Sequence, residues 1–225
     1  DSILLEFVSS NPTGPLHVGH GRHAAYGDSL SKILRKAGHT VTSEYYINDS
    51  GRQIDILTLS VLMASINKEE SVLRVPSSCY QGSYIGSLTE VIPKQTIKEI
   101  NKLSISDLKV NAADGDSEVD ALISRIKNCI GESIFEEITA SVVGKMIKII
   151  KLDLSNFGVE FDHWFSEKAM IKASKINTAL KKLKTKKVLF EKDGATWFKA
   201  TNLGKTKDKV YIKSSGEPTY RVPDT

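Results

Sequence analysis

Ser10-Asn11-Pro12-Thr13-Gly14-Pro15-Leu16-His17-Val18-Gly19-His20 decides how this chain is read. A short apolar run, Ile3 to Val8, precedes it, and a segment with helical spacing follows. The order is strand, tight loop, helix N-terminus. A helix N-terminus attracts anions through its free N–H groups and its dipole. Two imidazoles three residues apart, His17 and His20, add donors on the same face of the first turn. Gly19 between them carries no side chain and lets a flat ligand approach the backbone. Those residue types in that pattern suit a nucleotide whose phosphates sit beside the imidazoles. Two surface histidines at a helix start, one of them a cap, are the plainer alternative for any His-x-Gly-His.

Working outward, the nearly continuous apolar run Ile3–Val8 predicts a strand covered on both faces, as in a parallel sheet. Tyr26, Leu30, Ile33, Leu34 and Ala37 recur at three- and four-residue spacing, so His17 to about Lys36 reads as an amphipathic helix that Gly38 stops. Thr40 to Ile47 returns as a strand rich in β-branched and aromatic residues. Strand, helix and strand make a parallel βαβ unit. A further helix is expected from about Gly51 to Ile66. From about Asn67 to Thr201 helical periodicity dominates. One stripe is Ile134, Ile138, Val142, Met146 and Ile149; another is Ala169, Ala173, Ile176, Leu180 and Leu183. Asn111 to Asp120 is acidic and small, which suits an exposed loop or a helix start. Val188–Phe190, Ala195–Lys199 and Val210–Ser214 read as short strands leading back to the sheet. The expected fold is α/β: a Rossmann-like parallel sheet split by a largely helical insertion. Residues 1–66 form the first half of the nucleotide-binding domain, 67–201 the insertion and 202–225 the return to that domain.

His-x-Gly-His after an N-terminal strand resembles the "HIGH" signature of class I aminoacyl-tRNA synthetases. Leu5-Glu6-Phe7-Val8-Ser9-Ser10-Asn11-Pro12-Thr13-Gly14 and Glu44-Tyr45-Tyr46-Ile47-Asn48-Asp49-Ser50-Gly51-Arg52-Gln53 narrow this to the arginyl-tRNA synthetases in their bacterial form. The similarity continues in order through Gly158–Glu167, Asp208–Tyr211 and Gly216–Tyr220. It implies ATP-dependent joining of L-arginine to its tRNA through an arginyl adenylate, with Mg²⁺ accompanying ATP and no protein-bound metal. The implied partners are L-arginine, ATP and arginine tRNA. A monomer in the cytoplasm is expected, with no membrane partner. The family's lysine-rich "KMSKS" loop, second half-sheet, anticodon-binding domain and N-terminal domain are not in this sequence, so the chain reads as a fragment of a longer enzyme, inactive alone. Two other readings stay open. Another adenylyltransferase of the HxGH type would lack the long insertion and would not call for an acid at Glu6. A non-catalytic fragment could still bind a nucleotide or tRNA.

The resemblance assigns roles residue by residue. His17 and His20 become the catalytic donors, and Pro12, Gly14 and Gly19 join them on the ATP side, with Gly19 under the adenine. Glu6 sits in an apolar strand, where a carboxylate is costly unless paired, and the family uses an acid there to hold the substrate guanidinium. Its alternative is a strand-end residue that reaches solvent. Ser9 and Asn11 join the arginine side, Asn11 at the α-amino end, against an Asx-turn role before Pro12. Tyr220 and Asp224, four apart, match a tyrosine and an aspartate placed over the guanidinium, and two carboxylates suit a planar cation with five donors. Pro223 departs from that pattern, since proline is tolerated only in a first helical turn. Asn48, Asp49 and Gln53 are implied at the pocket edge, with Gly51 in a turn beside them.

Composition excludes more than it identifies. With 31 basic and 27 acidic residues the net charge is +4, which does not by itself indicate nucleic acid. Cys79 and Cys129 form no CxxC pair, which argues against a zinc site or a disulfide framework. No apolar run approaches the roughly 18 residues that span a membrane. Lys168, Lys172, Lys175, Lys181, Lys182, Lys184, Lys186 and Lys187 contain no acid among them. They form either a solvated helix face or a contact to tRNA phosphates.

Overall fold

The computed structural model describes residues 1–66, 75–102, 114–216, 218, 219 and 222. They divide into two compact units, Asp1–Phe165 and Ser166–Thr225.

In the first unit, β1 (Ser2–Glu6) pairs in parallel with β2 (Thr40–Ile47) through α1 (Val18–Lys36), and β3 (His163–Ser166) follows β2 in the same sheet. The expected βαβ unit is present. α1 ends in a Schellman arrangement: the Gly38 amide donates to Arg35 O (3.1 Å) and the His39 amide to Leu34 O (3.1 Å), with Gly38 at φ +93°. α1 meets the sheet through small residues. Ala24, Gly27 and Ser31 are its buried positions, while Tyr26 and Ile33 of the expected apolar stripe face solvent. Gly27 lies so close to Phe7 that a Cβ there would fall 2.2 Å from the ring.

One face of the sheet carries the core. Val41, Ser43, Tyr45 and Ile47 are buried and alternate with more exposed neighbours along β2. The expectation that β1 is covered on both faces fails: Ser2, Leu4 and Glu6 are exposed and Ile3 and Leu5 half-buried. Strand alternation sends odd-numbered residues toward α1 and even-numbered ones to the open face. β3 is fixed to β2 by polar and aromatic contacts. Asp162 Oδ2 accepts from the Ser43 amide, the Ser43 hydroxyl and Arg35 Nη2, each at 2.7 Å. The Ser43 donors, followed by Arg35, hold the Asp162 carboxyl below its ordinary range. Phe161 packs on Phe7, and Trp164 stacks on Tyr45, with centroids 4.4 Å apart in each pair.

α2 (Arg52–Ser65) buries residues all round and forms the centre of the unit. Against it lie α3 (Ser83–Leu88), α5 (Gly115–Ile130) and α6 (Glu132–Asn156), and α4 (Lys94–Asn101) packs on α5. Ile138, Val142 and Met146 of the expected stripe are buried, joined by Phe135, Ile150 and Leu154, whereas Ile134 is exposed. The acidic stretch is a helix start from Asp114, whose carboxylate accepts from the Ser117 amide at 2.8 Å; residues 111–113 lie outside the described residues.

The second unit departs from expectation twice. The Ala169–Leu183 stripe is two helices, α7 (Glu167–Lys172) and α8 (Lys175–Thr185), separated at Ser174, which takes φ +54°. The three short strands do not join the first sheet. β4 (Leu189–Lys192), β5 (Ala195–Phe198) and β6 (Lys209–Ile212) make their own antiparallel sheet. Asp193-Gly194, both at positive φ, supplies the two-residue hairpin turn that such pairing needs. Among the described residues no helix is long and apolar enough to cross a membrane. Cys79 is buried, Cys129 is exposed, and both are free.

Candidate active site

The signature loop leaves β1 through two left-handed residues, Val8 (φ +64°) and Ser9 (φ +41°). A β-branched residue at positive φ is strained and persists only where its surroundings over-determine it. Here the surroundings do so. Ser9 Oγ accepts from the Tyr46 amide at 3.1 Å. The Tyr45 hydroxyl, buried inside the sheet, donates to Ser10 O at 3.0 Å. Burial pushes the Tyr45 phenol up to about 12 against the opposing effect of its Ser10 contacts, so it remains a donor. The Asn11 side-chain amide donates to Gln53 Oε1 at 2.9 Å. Gln53 is held in turn by the start of α2, where Gly51 (φ +89°) precedes the helix. There Arg52 donates to Asp120 Oδ1 at 2.8 Å and lies 3.3 Å from Asp116 Oδ1.

At the head of α1 the two histidines cap the helix for each other. His17 Nδ1 accepts from the Gly19 amide (3.1 Å) and His20 Nδ1 accepts from the His17 amide (3.2 Å), a reciprocal capping box built from imidazoles. The rings stack with centroids 3.7 Å apart. With each Nδ1 occupied as an acceptor, the proton of each neutral ring is assigned to Nε2. Two Nε2–H donors thus belong to one stacked pair at a helix N-terminus. Burial first, then His17 and His23, lowers the His20 pKa, which favours the neutral ring. A Cβ at Gly19 would lie 2.9 Å from His17 Cε1, so the room left by this glycine is taken by the capping imidazole.

These elements enclose an open cleft of about 530 Å³, lined by loop residues Val8–Asn11 and Thr13–Pro15, by His17, His20 and His23, and by Tyr80 and Tyr84. Of the residues singled out in the sequence, Ser9, Asn11, Gly14, His17 and His20 line this one cleft, and Gln53 touches it through Asn11. Pro12 is buried beneath the loop, and Asn48 and Asp49 follow β2 at the loop that carries Gly51. Glu6 is exposed at the end of β1, opposite Glu44 in register, so it matches the alternative of a strand-end residue that reaches solvent. Glu44 itself is hydrogen-bonded to His163 Nδ1 at 2.6 Å. Tyr220 and Asp224 lie outside the described residues. Sequence reasoning missed His23, Tyr80 and Tyr84. His23 sits one turn beyond His20 and was within reach of a periodicity argument; the tyrosines come from a distant segment with no motif. Among the described residues no three His, Cys, Asp or Glu side chains converge to hold a metal. A second groove, of about 510 Å³, runs along α8 and is lined by Thr178, Lys181, Lys182 and Lys186 among others.

Comparisons with known proteins agree with one another. Curated arginine–tRNA ligases of Dichelobacter nodosus and Hydrogenovibrio crunogenus are 42% and 38% identical over 99% of this chain, and the chain spans about 40% of their length. A solved structure of a candidate arginyl tRNA synthetase from Campylobacter jejuni superposes with a TM-score of 0.72 at 32% identity, covering 100% of this chain and 43% of that one. The Thermus thermophilus arginyl-tRNA synthetase shares the fold, with a TM-score of 0.57 at 22% identity over 99% of this chain and 34% of its own. All 225 residues match the family described as tRNA synthetases class I (R), catalytic domain, and the chain belongs to that family.

Proposed function

We propose that this chain is the signature-bearing part of an arginine–tRNA ligase and that its cleft binds ATP for amino-acid activation. In that reaction a carboxylate oxygen of L-arginine attacks the α-phosphorus of ATP. The bond from the α-phosphorus to its bridging oxygen breaks and pyrophosphate leaves. A ribose hydroxyl of the tRNA then attacks the adenylate carbonyl and AMP departs. Negative charge builds on the phosphoryl oxygens during the first step, and fixed donors aimed at it lower the barrier. The observation that carries the reading is the stacked His17–His20 pair, whose Nδ1 atoms are both spent on backbone amides and whose Nε2–H groups are therefore donors. The α1 N-terminus adds its dipole to the same anion. Mg²⁺ enters on the phosphates of ATP in this reading.

On the amino-acid side, Asn11 takes the α-amino end with Ser9 beside it, and Gln53 stands at the pocket edge. Glu6 takes the guanidinium, with Tyr220 and Asp224 as its further partners. A planar fork of five donors is matched better by two carboxylates than is a point charge, so arginine is preferred to lysine. Pro12 and Gly14 shape the ATP side, and Asn48 and Asp49 the pocket edge. Residues 67–201, apart from β3 in the first sheet, serve as the insertion between catalytic segments 1–66 and 202–225, and the α8 lysines offer phosphate contacts to tRNA. The proposed enzyme is a cytoplasmic monomer.

Separate titrations of ATP, arginine and tRNA against the complete gene product test this reading. Binding of all three supports it. Binding of ATP with neither arginine nor tRNA favours a different adenylyltransferase. In the same protein, Glu6→Gln raises the KM for arginine far more than the KM for ATP. Equal effects on both remove Glu6 from the guanidinium site.

A further inference from the structure

We propose that Tyr84 is a positioning residue for activation: its hydroxyl, bonded to the Thr13 carbonyl, sets the ATP-side half of the signature loop in register with His17 and His20. The role rests on the ligase reading for its catalytic consequence, but not for its structural content.

The loop needs such a restraint. It begins at two residues of positive φ, and its first half is tied down by Tyr45 and Tyr46 of β2 and by Gln53 at the start of α2. The next segment, Thr13–Pro15, leads directly into the His17 cap. There the Tyr84 hydroxyl donates to Thr13 O at 2.9 Å, across 71 positions of sequence. The ring itself lies between two glycines. A Cβ at Gly14 would meet the Tyr84 hydroxyl oxygen at 3.5 Å, and a Cβ at Gly82 would lie 3.2 Å from two ring carbons. Gly82 also takes φ +134°, which only glycine adopts freely. The tight side is Gly82, where a side chain would crowd the ring; at Gly14 a Cβ would make only ordinary contact with the phenol.

The platform under Tyr84 is firm. Ile85 and Leu88 of α3 are buried against the core. The preceding turn is pinned where Ser60 Oγ of α2 accepts the Tyr80 amide at 2.9 Å. Lys145 of α6 donates to the Ser87 carbonyl at the other end. Burial raises the Tyr84 pKa, so the hydroxyl keeps its proton and its donor role. A donor fixed to a rigid helix pair is suited to holding a strained loop at one height. Small misplacements of groups that stabilise a transition state are costly to rate and cheap to binding.

Tyr84→Phe keeps the ring between the glycines and removes only the donor. In the complete gene product, arginine-dependent exchange of pyrophosphate into ATP is expected to lose roughly three- to tenfold in kcat, the effect of one net hydrogen bond. The KM for arginine stays within about twofold, because Asn11 and Gln53 are anchored independently. Ser141→Ala, which removes an intrahelical bond of α6 outside the cleft, leaves exchange unchanged. On the 225-residue chain, amide hydrogen exchange provides an arm that needs no catalysis: Tyr84→Phe speeds exchange at residues 13–17 and leaves α2 amides unmoved. If the wild type shows no arginine-dependent exchange, the ligase reading fails while the amide arm still decides the loop restraint. An unchanged kcat, an arginine KM that rises well beyond twofold, or unaltered amides at 13–17 each overturn the proposal.

Discussion

Gly27→Ala is a severe test of how α1 is seated, because the same substitution one face away should do the opposite. An ideal Cβ at Gly27 falls 2.2 Å from Phe7 Cγ, 2.3 Å from Cδ2 and 2.7 Å from its Cβ. Ordinary carbon contacts are about 3.5–4.0 Å, so ring or helix must retreat by roughly 1.5 Å. Phe7 is braced from behind, since its ring packs on Phe161 at 4.4 Å and Phe161 packs edge-on to Tyr45 at 5.4 Å. Overpacking of this kind costs about 3 kcal/mol. Alanine returns about 1 kcal/mol through helix propensity, leaving a net loss of about 2 kcal/mol. For a unit of this size each kcal/mol moves Tm by roughly 2–4 °C, so a fall of about 4–8 °C is expected. Gly21 lies on the same helix with nothing within 4 Å of its would-be Cβ. Gly21→Ala should therefore gain about 1 kcal/mol and raise Tm by roughly 2–4 °C. Thermal unfolding of the three chains, followed by circular dichroism, reads both. A Gly27→Ala chain as stable as the wild type, or both variants shifting in the same direction, refutes the close seating of α1 on Phe7.

Three further outcomes follow from the site. His17→Asn and His20→Gln keep side chains that can cap the helix while removing both imidazoles; thermal stability should be nearly retained while kcat for adenylate formation falls about 100-fold with little change in ATP affinity. Loss of ATP binding with kcat intact would leave the histidines a binding role only. Tyr45→Phe strands the Ser10 carbonyl without its buried donor, and urea unfolding should show a loss of about 1–3 kcal/mol. The lowered pKa of His20 means that the folded chain binds this proton less readily than the unfolded chain. Its contribution to stability is full above the unfolded value near 6.5 and is lost as pH falls below it. Tm should therefore drop between about pH 7 and pH 5, and His20→Gln should flatten that drop. An unaltered slope contradicts the assignment.

What was legible in the sequence followed from local chemistry. β2 and α1 begin and end where β-branched runs, Gly38 and the histidines place them, because each boundary is set by residues adjacent in the chain. The failures came from long-range packing. The run Ile3–Val8 looked two-sided because hydrophobicity does not say which face a neighbour covers, and Leu4 and Glu6 are open. The buried face of α1 is made of small residues, so Ala24, Gly27 and Ser31 leave no large apolar stripe in the sequence. The strands after Val188 are legible as strands, and Asp193-Gly194 carries their hairpin signal, but short strand runs do not specify which sheet they form. Within the site, the loop and histidines were readable as a motif. Tyr80 and Tyr84 were not, because nothing in Cys79–Tyr84 marks it as neighbouring Thr13 until α2 and α3 pack.

Pyrophosphate exchange into ATP by the complete gene product, with tRNA present and with arginine, lysine or no amino acid, decides whether the cleft activates arginine. Exchange is expected with arginine, little with lysine and none without an amino acid, and it should be lost when His17 and His20 are both replaced. Exchange that does not depend on arginine, or that survives removal of both histidines, would contradict activation of arginine by this cleft.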